Sequence, residues 1–208
     1  MKTAQLIKQQ IVFWLLKGNL SFDIHKHLVG TEVLFSTNQR RADLLILNGE
    51  CHAMEIKSDR DSLAKLSEQL EDYHKTFDCV SVVTTKSHLS KVKTLARPAT
   101  GIIVVEDDVI TVLKQAKTRK RLDKLSLSMF LHKPELAKLL SVRANDYYTG
   151  QLRQMLIQKL SVSEIRAAAY ECLKKQYKEQ FVLFVADQLD KLSPLASREL
   201  FAGHGHIG

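Results

Sequence analysis

Arg41-Ala-Asp43-Leu-Leu-Ile-Leu47, Asn48-Gly49-Glu50 and Cys51-His-Ala-Met-Glu55-Ile-Lys57 follow one another without a break. Two apolar segments of strand character flank a short turn, and each carries an acid where a buried strand ordinarily has none. Removing a carboxylate from water is costly unless it is paired or holds a metal. Two carboxylates and an ammonium converging at a hairpin can hold a divalent cation and an activated water. Loop length decides whether they converge. A two-residue type I′ turn at Asn48-Gly49 pairs Asp43 with Met54 and leaves Glu55 on the opposite face. A three-residue loop, Asn48-Gly49-Glu50, pairs Asp43 with Glu55 on one face. A working site therefore predicts the odd loop, with Gly49 near the left-handed region.

The pattern extends outward from this hairpin. Residues 3–17 carry Leu6, Ile7, Ile11, Phe13, Trp14, Leu15 and Leu16, dense enough for a mostly buried helix. A first strand is expected around Glu32–Phe35. After the hairpin, Ser58-Asp-Arg-Asp61-Ser62 offers helix N-cap residues. Behind them Leu63, Leu66, Leu70, Tyr73 and Phe77 recur at helical spacing. Cys79–Thr84, Gly101–Val105 and Val109–Leu113 read as strands, with a short helix over Ser87–Ala96. The expected fold class is α/β, a mixed sheet flanked by helices, followed by an all-helical C-terminal region.

The chain has 208 residues, 45% of them hydrophobic and 26% charged, so a packed core is expected rather than disorder. Lys and Arg number 31 against 23 acids, a net charge of +8 that favours a polyanionic partner, though a merely basic surface is the plain alternative. Cys51, Cys79 and Cys172 are widely spaced, supporting neither a zinc knuckle nor a disulfide framework and fitting a reducing, cytoplasmic setting. The run Ile11–Leu16 is too short to span a bilayer, so no membrane is expected.

Asp43, eleven intervening residues and then Glu55-x-Lys57 match the PD-(D/E)XK phosphodiesterase pattern. The following helix adds Gln69 and Tyr73, one turn apart along the edge of its apolar stripe. Residues 29–85 resemble a PD-(D/E)XK nuclease core with a restriction-endonuclease-like sheet. More narrowly, Arg41-Ala-Asp43, Glu55-Ile-Lys57-Ser-Asp, Asp61-Ser-Leu, Gln69, Tyr73 and Phe77-Asp78 resemble an uncharacterised sce-type family of bacteria, phages and mobile elements. The Pro that precedes the first acid in the general pattern is Ala42 here. The resemblance implies a Mg²⁺ site (Mn²⁺ as substitute) built by Asp43, Glu55 and the Ile56 carbonyl, with Glu32 as a further ligand. Lys57 would orient or deprotonate the attacking water. Gln69, Tyr73 and Arg41 would support the site or touch DNA. A structural ion-pair cluster of Asp43 and Glu55 with Arg41 and Lys57 is the competing reading.

Residues 1–116 thus form an expected nuclease-like core, 117–200 a basic bundle of about four helices, and 201–208 a disordered tail. Ser161-Val-Ser-Glu164 has capping-box spacing. Gln151–Leu160 and Glu164–Tyr177 read better as a helical hairpin than as a DNA-reading helix-turn-helix. Lys86, Lys91 and Lys93 are candidates for phosphate contacts, and the run 114–124 could follow a phosphate backbone. The helical half could also carry a homodimer or a partner protein. Two functions follow: a Mg²⁺-dependent DNA nuclease, or a silent PD-(D/E)XK-like nucleic-acid-binding or regulatory protein of a phage or mobile element.

Overall fold

The computed structural model describes residues 2–36 and 39–191; the expected tail 201–208 lies outside them. Helix α1 spans Ala4–Leu16, and Thr3 caps it by accepting the Leu6 N–H. Strands β1 (Leu28–Phe35), β2 (Arg40–Leu47) and β3 (Cys51–Lys57) follow, then α2 (Leu66–Thr76), β4 (Cys79–Thr84), α3 (Lys86–Leu95), β5 (Gly101–Glu106) and β6 (Val109–Lys114). The helices α4 (Lys124–Ser128), α5 (Lys133–Leu140), α6 (Thr149–Lys159) and α7 (Val162–Lys191) complete the described chain. The order of helices and strands is the one that hydrophobic periodicity predicts.

All six strands join one sheet in sequence order. Pairing is antiparallel for β1–β2, β2–β3 and β5–β6 and parallel for β3–β4 and β4–β5. The parallel pairs need crossovers, which α2 and α3 supply. Alternation along the strands splits the apolar residues between two faces. Leu44, Ile46, Met54, Ile56, Val83 and Ile103 pack under Ile7, Ile11 and Leu15 of α1. Leu45, Leu47, Ala53, Val80 and Val82 face Leu66, Leu70, Tyr73 and Phe77 of α2. On this second face the core continues without interruption into Leu127, Leu136, Leu152, Ile165 and Leu173. The stretch that changes character at residue 117 thus shares its hydrophobic interior with the sheet.

Three local expectations need correction. The Ser58–Ser62 stretch does not cap α2, which begins at Leu66 behind Lys65. Asp61 instead turns back to accept from the Ser58 N–H at 2.8 Å and the Ser58 hydroxyl at 2.5 Å. Its carboxylate is used up closing a loop rather than a helix end. Strand β1 starts at Leu28, four residues earlier than expected, because Val29 is buried on the α1 face with Leu28 packed beside it, ahead of the Gly30-Thr31-Glu32 stretch that carries no apolar signal. Helices α6 and α7 pack chiefly on other elements, α6 on α5 and α4, and α7 on α4 and β1, rather than as a hairpin on each other. The Ser161–Glu164 capping box does form, with Ser161 N–H donating to Glu164 at 2.8 Å.

Candidate functional site

The β2–β3 connection is the three-residue loop: Leu47 pairs with Cys51, and Gly49 sits at φ +89°. An L side chain is disfavoured there, so glycine suits the turn. The register carries through Leu44↔Met54, which sets Asp43 opposite Glu55. Regular pairing stops at that point. Asp43 Oδ2 accepts the Ile56 N–H at 2.7 Å, replacing the next rung of the ladder with a side chain. The β1–β2 ladder is also interrupted here, between Thr31↔Leu44 and Val33↔Ala42, and Glu32 adopts φ +52°. A left-handed non-glycine residue facing an acid marks this spot as irregular on both neighbouring strands.

Glu55 is 3% exposed and lies on the α2 face. Its Oε1 accepts from Gln69 Nε2 at 2.7 Å and meets Lys57 Nζ at 2.7 Å. Its Oε2 accepts the Tyr73 hydroxyl at 2.5 Å. Gln69 and Tyr73 reach it together because i,i+4 spacing stacks them on one edge of α2. The Tyr73 ring is clamped by Phe35, centroids 4.7 Å apart and nearly perpendicular. Burial, then the Glu55 and Asp43 charges, hold the Tyr73 phenol well above its usual range, so it stays a neutral donor. Burial first, and the Glu55 charge second, raise the Asp43 carboxyl from 3.8 to about 7. The Ile56 N–H and Lys8 oppose that rise.

The other expected residues are distributed as follows. Glu32 is drawn to Lys8 of α1 in an ion pair. Arg41 is exposed, and its carbonyl lies 3.2 Å from the Tyr73 hydroxyl. Its neighbour Arg40 makes the acid contacts instead, to Asp72 and, at 2.5 Å, to Glu68. Lys86 pairs with Glu106 at 2.8 Å, while Lys91 and Lys93 are exposed on α3. Sequence reasoning missed Lys8, which no motif marks. It also missed a buried hub at Asp78, whose Oδ2 accepts from Cys51 N–H (2.8 Å), Arg166 Nη2 (2.9 Å) and Tyr170 Oη (2.6 Å). The signal for the hub was an Arg and a Tyr four apart on α7.

A hard divalent ion such as Mg²⁺ keeps several waters and needs only one or two carboxylates. Asp43, Glu55 and the Ile56 carbonyl are of that kind, but both Glu55 oxygens already hold donors, so the fit is incomplete. Among the described residues no three His, Cys, Asp or Glu side chains gather closely enough to hold a metal ion.

A model for the family described as bacteriophage P4 protein cII matches residues 1–196. The chain belongs to that family. It is 30% identical over 187 residues to Protein cII of Enterobacteria phage P4, an alignment covering 84% of this chain and 69% of the phage protein. A protein of unknown function from Silicibacter pomeroyi aligns over 88% of this chain and 85% of its own, at a TM-score of 0.39 and 15% identity. That likeness is too slight to argue from. The P4 cII match takes in the sheet and the helices of the second half alike. No helix among the described residues is long and apolar enough to cross a membrane.

Proposed function

We propose that this P4 cII family member is a nucleic-acid-binding regulatory protein of a phage or mobile element, with a PD-(D/E)XK-like acid cluster that is catalytically silent. The observation that carries this reading is the closure of Glu55. The acid that would grip a metal is buried, and its two oxygens are bonded to Gln69, Lys57 and Tyr73. A carboxylate in that state serves as the anchor between β3 and α2, since a buried charge with three donors is strongly held. Glu32, the candidate further ligand, is occupied by Lys8. Membership of a phage family and a net charge of +8 support a regulatory role at nucleic acid.

A second reading, a Mg²⁺-dependent nuclease, is favoured by one observation. Glu55 meets Lys57 at 2.7 Å and lies close enough to Asp43 for its charge to help raise the Asp43 carboxyl pKa, as expected where two acids share a site without a cation between them. In that reading Mg²⁺ would supply a lowered pKa for a bound water. The chain would contribute the two carboxylates, with Tyr73 releasing Glu55 Oε2 and Lys57 orienting the water. A cleavage assay on single- and double-stranded DNA and on RNA, with Mg²⁺ or Mn²⁺, separates the two. The silent reading expects binding without cleavage. Cleavage that disappears in Asp43→Ala would replace it with the nuclease.

A further inference from the structure

The segment Lys117-Thr-Arg119-Lys-Arg121 leaves β6 and crosses to α4. It is not loose. Lys117 N–H donates to the Ala99 carbonyl (3.0 Å), Arg119 N–H to that of Asp78 (2.9 Å) and Asp123 N–H to that of Lys75 (2.8 Å). Three amides, at 117, 119 and 123, thus tie the strip to the body of the protein and fix the course of its backbone between β6 and α4. A cleft of about 330 Å³ lies on one side, lined by His74, Lys75, Arg97, Arg119 and Arg121 among others. A second, of about 560 Å³, is lined by Thr118, Arg119, Lys120 and Arg166. Arg119 belongs to both, so the two clefts adjoin.

The acids lining these clefts are largely engaged. Glu71 is shared by Lys75 at 3.2 Å and Arg97 at 3.5 Å. Asp123 caps α4 through the Ser126 N–H and hydroxyl, both at 2.8 Å. Asp78 is the hub beneath Arg166, and Glu50 accepts from Thr118 at 3.1 Å. Arg119 and Arg121 face these clefts, and among the described residues neither forms an ion pair with an acid. One further atom is left over. His74 is 1% exposed and lines the first cleft; its Nε2 is bonded to Thr100 at 2.7 Å, and its Nδ1 is buried with no partner among the described residues. A buried polar atom without a partner is uncommon and calls for a reason.

We infer that segment 117–121, with the two clefts it separates, is a phosphate-binding surface that follows a nucleic-acid backbone. Two adjoining cationic clefts along a strip anchored at Lys117 and Arg119 suit a chain of phosphates better than a single anion. The surface lies at the Glu50 end of the hairpin, whereas Asp43, Glu55 and Lys57 gather at the other end of β3. It also differs from the α3 lysines. An anion in the first cleft would offset Arg97 and Arg119, two of the causes that, after burial, depress the His74 imidazole to about 4.

This inference rests on the reading of the chain as a nucleic-acid binder. Its test is fluorescence anisotropy of labelled single- and double-stranded oligonucleotides with the full chain, as wild type, Arg119→Gln/Arg121→Gln and Lys91→Gln/Lys93→Gln. The first double variant is expected to bind at least about ten-fold more weakly at low salt, with a log–log salt slope shallower by roughly 2. The α3 variant is expected to stay within about two-fold of wild type. The His74 ring resonances are expected to move when oligonucleotide is added to wild type, and to stay put in the arginine variant, whose circular dichroism melt checks folding. Wild-type binding that the arginine variant retains would overturn the surface and leave the binding reading intact. No binding by wild type to any oligonucleotide would overturn both.

Discussion

Replacing Asp43 by Asn should stabilise the protein above neutral pH and leave it nearly unchanged in acid. Burial and the Glu55 charge lift the Asp43 carboxyl from 3.8 to about 7. Asp43 therefore holds its proton more tightly folded than unfolded. The stability tied to that proton is fully present below pH 4 and is lost as pH rises through about 7. A rise from 3.8 to about 7 corresponds to about 4 kcal/mol. Asp43 keeps some solvent contact and has Lys8 near, so screening reduces this to roughly 2 kcal/mol. Asn cannot ionise, and its amide oxygen can still accept the Ile56 N–H. Urea denaturation at pH 4.5, 6 and 8 should show the two proteins converging in acid. At pH 8 the variant's midpoint should be higher by on the order of 1 M. A variant less stable than wild type at pH 8, or a gain that does not change with pH, would refute the argument. Mg²⁺ adds a second arm: if the acids hold a cation, it should stabilise wild type and not Asp43→Asn.

Three further outcomes follow from the geometry. Tyr73→Phe removes the donor to Glu55 Oε2 and should cost about 1–3 kcal/mol, read as a lower thermal midpoint. Burial depresses His74 from 6.5 to about 4, so the unfolded chain takes up the proton first; stability should fall as pH drops from 6.5 towards 4. His74→Gln should flatten that acid limb in a pH series of urea melts. Gly101→Ala would place a Cβ 2.4 Å from Ser81 Oγ and 2.8 Å from the Ala116 backbone nitrogen, and should lose about 1–3 kcal/mol by chemical denaturation.

How much of this was legible beforehand depended on whether a feature is local. The order of elements followed from periodicity, because each strand and helix buries its own stripe. The three-residue loop followed from parity: Asp43 and Glu55 could share a face only with Glu50 in the turn. Gln69 and Tyr73 followed from i,i+4 spacing. What stayed hidden was settled across the chain. Lys8 meets Glu32 from a helix 24 residues away, and nothing near Glu32 announces its left-handed backbone. Asp43 spends its carboxylate on a backbone amide, which ladder geometry alone does not foresee. Arg40 rather than Arg41 takes the acids of α2, since strand alternation turns only one of two adjacent arginines towards that helix. The second half read as a separate bundle because its strand pattern ends at residue 114, yet its apolar faces complete the sheet's core.

The Asp78 carboxylate has a consequence for how this protein can change over generations. Its donors come from positions 51, 166 and 170, so a single buried carboxylate stitches the turn end of the hairpin to α7. Splicing in a different helical segment at the basic strip would strand that charge unless the newcomer brought its own guanidinium and phenol to the same place. The two halves are therefore not exchangeable cassettes, and genetic shuffling should cut outside them rather than between them.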